Sequence, residues 1–163
     1  MATKKKKQPK KPVTRARASK PAARQPSKPA RTKAAAPKGL NLTAITPSLT
    51  VNDIAASLAW YCDVLGFKVA DRWEREGQLL GAEITAGGST FYLGQDDWKK
   101  GRDRVKGEGF RLFCETNQDV DGIAAAIKSR GGTLSAEPRD EFGRRHFAIE
   151  DPSGYKITIS STE

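Results

Sequence analysis

The sequence predicts an α+β domain made of two βαβββ units, preceded by a basic tail that does not fold. Two observations predict the domain: hydrophobic patterns occur in the same order twice, and a glycine ends each predicted helix. A third observation, a change of composition near residue 41, separates the tail from the domain. We therefore place a disordered Lys/Pro/Ala-rich tail at residues 1–41 and one folded domain at residues 42–163.

The predicted tail is strongly cationic. Residues 1–38 contain fourteen of the 29 basic residues, none of the 19 acidic residues and six of the nine prolines. The segment has no aromatic residue, so it cannot bury enough apolar surface to offset the entropy lost on folding. In composition it resembles the lysine-, alanine- and proline-rich tails of linker histones. The rest of the chain carries a small net negative charge.

The first predicted unit begins with alternating residues, Ile45, Leu49 and Val51 on one face, which indicate a half-buried strand. Asp53 is placed to cap the helix that follows, and Gly66 to end it. The predicted strands of this unit are 44–51, 67–74, 78–86 and 89–95.

The second predicted unit repeats this order. Asp119 caps a helix that ends at Gly131-Gly132, and the segment 151–154 is a turn by its Pro and Gly content. The predicted strands are 110–116, 133–136, 145–150 and 155–160. A polar loop at 96–109 joins the units, and such a loop is either a lid, a binding loop or a solvated linker.

Four segments carry a family resemblance: LTVNDI, WYCDVLGF, QDVDGIAAAI with the glycine pair after it, and DPSGYKI. Together they resemble the vicinal oxygen chelate superfamily, which includes glyoxalases, bleomycin-resistance proteins and extradiol dioxygenases. The resemblance extends over about residues 42–159. It implies two modules whose curved sheets form a cup, usually within a dimer.

Members that use a metal hold it with side chains on the inner strand positions. Carried over residue by residue, these positions fall on Thr46, Tyr92, Phe110 or Arg111, and Thr158. None of these is a usual ligand of Zn, Fe or Ni, which bind imidazole, thiolate or carboxylate. We therefore expect no metal and no other cofactor. A weak Mg or Mn site built from Glu83 and Glu115 is the alternative.

The resemblance and the alternation of the strands together predict the lining of the cup. Arg111, Phe113 and Glu115 share one face of their strand, while Leu112 and Cys114 face the helix. The predicted ligand-binding residues are Thr46, Trp73, Tyr92, Arg111, Phe113, Glu115 and Thr158. A guanidinium group, aromatic rings and hydroxyl groups suit a small anionic or aromatic molecule. Simple packing of aromatic residues on the sheet is the alternative.

Three functions follow from these residues. We expect a metal-free domain that binds or sequesters a small molecule, with the tail adding non-specific association with nucleic acid. The alternative is an enzyme, a glyoxalase-like lyase or isomerase, with Arg111 as electrophile and Glu83, Glu115 or His146 as base. The third hypothesis is a nucleic-acid-associated protein, in which the tail binds the nucleic acid and the domain is a dimerising scaffold.

The remaining features concern location. No apolar run reaches the roughly 20 residues that a membrane span needs, so we expect no membrane partner. Cys62 and Cys114 are interpreted as buried thiols in a reducing compartment. We expect a cytoplasmic homodimer, associated with the nucleoid if the tail binds DNA.

Overall fold

The computed structural model describes residue 40 and residues 42–162. The predicted tail, residues 1–41, lies outside the described residues apart from Leu40. Its disorder, and the domain boundary at residue 42, stay predictions.

Two modules with the same order of elements form the domain. The first module consists of β1 (Ser48–Val51), α1 (Ile54–Asp63), β2 (Lys68–Arg75), β3 (Gln78–Ala86) and β4 (Ser89–Gln95). The second consists of β5 (Arg111–Thr116), α2 (Val120–Ser129), β6 (Leu134–Glu141), β7 (Arg144–Glu150) and β8 (Lys156–Ser161). The predicted α+β class and the duplicated βαβββ order are confirmed.

Each module forms its own four-stranded sheet, and the two sheets have the same topology. The first has the order β1-β4-β3-β2 and the second the order β5-β8-β7-β6. In both, the first strand of the module pairs in parallel with the last, and the other pairs are antiparallel. The first strand of each module is therefore an edge strand.

Two predicted strand boundaries were wrong. The first strand begins at Ser48 rather than at residue 44. Pro47 has no N–H for a ladder, although its carbonyl accepts a bond of 2.9 Å from the Tyr92 N–H. In the second module β6 continues to Glu141, well past the predicted end at residue 136. Pro138 is tolerated there because β6 is an edge strand whose register is irregular around it.

The helix caps follow the predicted chemistry. The Asp53 side chain accepts a bond of 2.9 Å from the Ala56 N–H, and Asp119 accepts one of 3.2 Å from the Asp121 N–H. Gly66 ends the first helical segment with a φ of 80°, a backbone conformation that favours glycine. Both predicted helix starts are thus confirmed.

One hydrophobic core serves both modules. Leu58 and Tyr61 of α1 are buried together with Ile127 of α2 and Phe147 of β7. The Tyr61 hydroxyl donates to Oδ2 of Asp151 at 3.1 Å, so this buried bond also joins the modules. Burial and the neighbouring carboxylate raise the pKa of Tyr61 far above its ordinary value.

The two cysteines are half-buried free thiols. Burial raises the pKa of Cys62 and of Cys114, which keeps both protonated near neutral pH. No helix in the described residues is long and apolar enough to cross a membrane.

The loop between the modules is fixed by an ion network near its centre. Asp96 is buried, and its Oδ2 lies 2.8 Å from Nη2 of Arg104 and 2.8 Å from Nζ of Lys106. Lys106 is also buried and donates to Oδ1 of Asn52. The hydrogen bond from Lys106 is the main reason why the pKa of Asp96 falls to about 2. The loop is therefore anchored to the first module rather than fully solvated.

Candidate functional site

The inner face of the first sheet is the face that points away from α1. Phe91 and Leu93 on β4 are buried in the core, so Tyr92 between them points to the inner face. The register places Ser48 on one side of Tyr92 and Glu83 on the other. These three residues form a polar and aromatic row across the sheet.

The indole of Trp73 lies flat on this inner face. A Cβ atom at Gly81 would be 2.6 Å from Cε3 of Trp73, so only glycine leaves room for the ring. The Tyr92 ring meets the indole edge-on at 5.4 Å between centroids, and Nε1 of Trp73 donates to Oδ2 of Asp71 at 3.1 Å. Trp73 still has 41% of its surface exposed. We call Trp73 and Tyr92 the aromatic shelf.

The inner face of the second sheet has a different chemistry. On β5, Arg111, Phe113 and Glu115 are exposed, whereas Leu112 is buried in the core and Cys114 packs against it. The alternation predicted for this strand is therefore observed.

Arg111 is an exposed cation of this face, and Lys156 lies opposite it on β8. Nη1 of Arg111 donates to Oγ1 of Thr158 at 3.4 Å, and no carboxylate of the described residues lies within ion-pair distance of Arg111. The carboxylate of Glu115, on the same face of β5, bonds Arg144 instead. Thr158 is only 4% exposed, so the accessible group here is the guanidinium.

The residues at the positions that correspond to the metal ligands of the resembled family do not fit a transition metal. Thr46, Tyr92 and Thr158 offer neutral hydroxyls, and the guanidinium of Arg111 already occupies the space beside Thr158. Among residues 42–162, no group of three His, Cys, Asp or Glu side chains is close enough to share an ion. The alternative weak site is also disfavoured, because the carboxylate of Glu115 is bonded to Arg144.

His146 has a partner that the sequence did not identify. Its Nε2 lies 3.3 Å from Oε2 of Glu141 on the neighbouring strand, and Arg139 donates to the same oxygen at 2.9 Å. The register pairs His146 with Arg139, so Glu141 reaches His146 diagonally from two residues further along β6. The sequence prediction ended β6 before Glu141. The other missed residues are Asp71 and Gly81, and both lie at register positions that place them next to Trp73 or Tyr92.

A groove of about 1160 Å³ lies between the two modules. It contains Thr46, Phe113 and Glu115 of the predicted set. Trp73 and Tyr92 lie instead on the shelf of the first sheet, and Arg111 lies with Thr158 on the second. The seven predicted residues thus belong to three surfaces of the described domain.

The fold agrees with the family comparison. The model of the Glyoxalase/Bleomycin resistance protein/Dioxygenase superfamily matches residues 39–159. The chain belongs to this superfamily. A search of curated protein sequences finds no match.

Solved structures with the same fold share little sequence with this member of the superfamily. TioX from Micromonospora sp. ML1 is 17% identical over 73% of this chain and 98% of its own, with a TM-score of 0.61. TnmS3, an antibiotic-binding protein from Streptomyces sp. CB03234, is 20% identical over 77% of this chain and 100% of its own, with a TM-score of 0.61. Virulence protein STM3117 from Salmonella typhimurium is 22% identical over 75% of this chain and 98% of its own, with a TM-score of 0.58. At these identities the comparison establishes the fold alone.

Proposed function

We propose that this domain binds and sequesters a small aromatic anion without a metal. The observation that carries the proposal is the exposed indole of Trp73, held flat over Gly81 by the sheet and by Asp71. An aromatic ring fixed in this way loses little entropy on stacking against a planar ligand. The antibiotic-binding activity of TnmS3, which has the same fold, supports this class of function.

The charge of the ligand is inferred from Arg111. A guanidinium group without a carboxylate partner binds a carboxylate or phenolate through charge-assisted hydrogen bonds. Its exposed position on the inner face leaves it free to do so.

The proposal includes a homodimer that completes the cup. The shelf and Arg111 lie on different sheets, and β2, which carries Trp73, is exposed along its whole length. A second copy that places its second sheet over the first sheet of its partner would bring Arg111 of one copy towards Trp73 of the other. Each of the two equivalent sites would then use residues of both chains.

Titration with 8-anilinonaphthalene sulfonate, a planar aromatic anion, tests the binding site. Trp73→Ala and Arg111→Ala should each weaken binding at least tenfold, and Trp73→Phe should keep part of it. Arg75→Ala is the matched control, because Arg75 is an exposed residue of the same strand as Trp73. Equal affinity in all variants would exclude this site.

Mixing the two loss-of-binding variants tests the shared cup. If each site uses both chains, a heterodimer of Trp73→Ala and Arg111→Ala subunits has one intact site and one doubly altered site. Binding should therefore return to a fraction of the wild-type level after mixing and re-equilibration. A mixture that stays as inactive as its components would show that the site lies within one chain, or that no dimer forms.

The second candidate function is catalysis by a glyoxalase-like lyase or isomerase. It is favoured by the His146–Glu141 pair, in which a carboxylate could orient the imidazole as a base. Mass spectrometry of recovered ligand separates the two functions. Unchanged ligand is expected for sequestration, whereas a product that disappears in His146→Gln would identify an enzyme.

We also propose that the tail associates with nucleic acid without sequence preference. Fourteen positive charges without an acidic residue in positions 1–38 should release counterions from DNA, with a slope of about −0.9 in log affinity against log salt per phosphate contacted. Fluorescence anisotropy with labelled duplex DNA should show binding that is lost in a chain lacking residues 1–38. Equal binding by the shortened chain would contradict this role and assign the binding to the domain.

A further inference from the structure

Two cationic side chains lie on neighbouring strands of the second sheet and share its inner face. The register of β5 with β8 pairs Arg111 with Lys156 and Phe113 with Thr158. Ile157, between Lys156 and Thr158, is buried in the core, so Lys156 points to the same face as Arg111. Both cations are exposed. Because neighbouring strands lie about 4.8 Å apart, one small anionic group can contact both.

Both cations keep hydrogen-bond donors that the described residues do not use. The guanidinium of Arg111 has five N–H donors, and the bond of 3.4 Å to Oγ1 of Thr158 uses one of them. That bond directs the guanidinium towards β8, the strand of Lys156. Within residues 42–162, neither cation has a carboxylate at ion-pair distance. Like charges opposite each other in a sheet repel, so a group that neutralises both would be stabilised here.

The acidic residues near this pair leave an excess of positive charge. Glu150 lies opposite Lys156 on the other side, on β7, but the two form no ion pair, so Glu150 offsets the charge of Lys156 only in part. Glu115, on the same face of β5 as Arg111, is bound to Arg144. The excess of positive charge is therefore greatest between Arg111 and Lys156.

A cavity of about 560 Å³ beside the loop between the modules is the alternative place for an anion. Lys156, Arg102 and Arg104 line it, and the guanidinium of Arg102 lies 4.8 Å from the centre of the Trp98 ring. The guanidinium of Arg104 is already bound to Asp96. Three carboxylates also line the cavity, those of Asp103, Glu108 and Glu150. Positive and negative charges thus nearly balance in the cavity, and the inner face of the sheet is the better site for an anion.

We propose that Arg111 and Lys156 together bind a group with two negative charges, as in a phosphate monoester. The inference rests on the proposed function for the aromatic part of the ligand and narrows the ligand class to an aromatic molecule with a dianionic group. A phosphate monoester has three acceptor oxygens and carries nearly two charges above its second pKa of about 6. It can accept from the guanidinium and the ammonium at once. A monoanion leaves one of the two cations without a counter-charge.

Calorimetric titration of the full chain at pH 8 with 1-naphthyl phosphate and 1-naphthyl sulfate tests the second charge. The two probes share the aromatic ring and a tetrahedral group and differ by one charge. Wild type should bind the phosphate about tenfold more tightly than the sulfate. Lys156→Gln should remove most of this preference by weakening the binding of the phosphate. Lys100→Gln is the matched control, because Lys100 is exposed in the loop and has no ion pair within the described domain.

The control should keep the full preference, and the cationic tail, present in every variant, does not affect the comparison. Glu150→Gln should increase the preference, because it removes the carboxylate opposite Lys156. Equal binding of both probes by wild type would overturn the inference and leave the proposed site for an aromatic anion intact, provided that Trp73→Ala weakens both. A preference that persists in Lys156→Gln would also overturn it and assign the second charge to another part of the chain. If neither probe binds, the proposed function fails and the inference fails with it.

Discussion

The two modules share their order of elements and their sheet topology, but the turns before their last strands differ. In the second module this turn contains Asp151, whose carboxylate accepts from the N–H groups of Ser153 and Tyr155 at 2.9 and 2.8 Å and from the Tyr61 hydroxyl at 3.1 Å. In the first module it is the pair Gly87–Gly88, which has no side chains. One turn therefore joins the modules, while the other leaves the groove open beside β5.

The inner faces have diverged as well. The first sheet supports an indole on a glycine, and the second sheet presents the guanidinium of Arg111 above Thr158. In the proposed site, the first module therefore supplies the stacking surface and the second module the anion-binding group. A duplicated fold can produce one asymmetric site in this way, since each copy contributes only half of the chemistry.

The largest expected effect tests whether the two turns contribute differently to the stability of the domain. Asp151→Ala removes the acceptor of three hydrogen bonds and should lower the free energy of unfolding by about 2–4 kcal/mol. Gly88→Ala, in the equivalent turn, should change it by less than about 0.5 kcal/mol, because a Cβ there meets nothing within 4 Å. Urea denaturation of both variants measures the difference. Similar losses in the two turns would show that the second turn does not join the modules.

A smaller effect on stability is expected at Gly81 and Gly94, two glycines near the aromatic shelf that differ in the space available for a Cβ atom. A Cβ at Gly81 would lie 2.6 Å from Trp73 and 2.9 Å from the Leu93 carbonyl, whereas one at Gly94 would meet nothing within 4 Å. Gly81→Ala should cost about 1–3 kcal/mol of stability and weaken anilinonaphthalene binding, because the indole must move. Gly94→Ala should leave both nearly unchanged. If Gly81→Ala keeps full affinity, the flat position of the indole does not matter for binding.

The loop between the modules gives a prediction of pH dependence. The pKa of Asp96 lies at about 2, below its ordinary 3.8, mainly because Lys106 bonds its carboxylate. The stabilisation from this ion pair is therefore fully present above about pH 4. It is lost as the pH falls through the pKa of the folded state, near 2.

Urea titrations at pH 6, 4 and 2.5 test this dependence. Asp96→Asn should be clearly less stable than wild type at pH 6, and the gap should shrink towards pH 2.5. Asp97→Asn is the control, since Asp97 and Lys99 are exposed and their ion pair contributes little. A gap for Asp96→Asn that does not change with pH would exclude the ion pair as its cause.

Much of this architecture could be predicted from the sequence because it depends on local signals. The caps Asp53 and Asp119 and the stop at Gly66 each act within a few residues of the chain, and all three were placed correctly. The extent of β6 was not predictable, because Pro138 usually ends a strand and is tolerated here only at an irregular edge. That error also concealed Glu141, the partner of His146.

The site was less predictable, since it depends on which strands are neighbours. Alternation correctly placed Arg111, Phe113 and Glu115 on one face of β5. It could not indicate that Gly81 would lie beneath Trp73, because that contact depends on pairing between β2 and β3 across two irregularities in register. Nor could it indicate that Glu115 would bond Arg144 and leave Arg111 free.

The smallest expected effect concerns the two equivalent hairpin turns, which join β2 to β3 and β6 to β7. Glu76 and Phe142 have φ values of 52° and 53°, and each is followed by a glycine that also has positive φ. This is the backbone of a two-residue hairpin turn, in which Asn-Gly is preferred. Phe142 is 95% exposed, so no contact within the described domain compensates for its strained backbone.

Replacing either residue by asparagine should therefore stabilise the domain. Asparagine tolerates the left-handed conformation better than other side chains, which cost about 1–2 kcal/mol there. We expect Glu76→Asn and Phe142→Asn each to raise the free energy of unfolding by about 0.5 kcal/mol, and the double variant to show the sum, because the tips belong to different sheets. The midpoint of urea denaturation, measured at low chain concentration, gives these values. A loss of stability in Phe142→Asn that appears only at high chain concentration would show that Phe142 contacts a second copy.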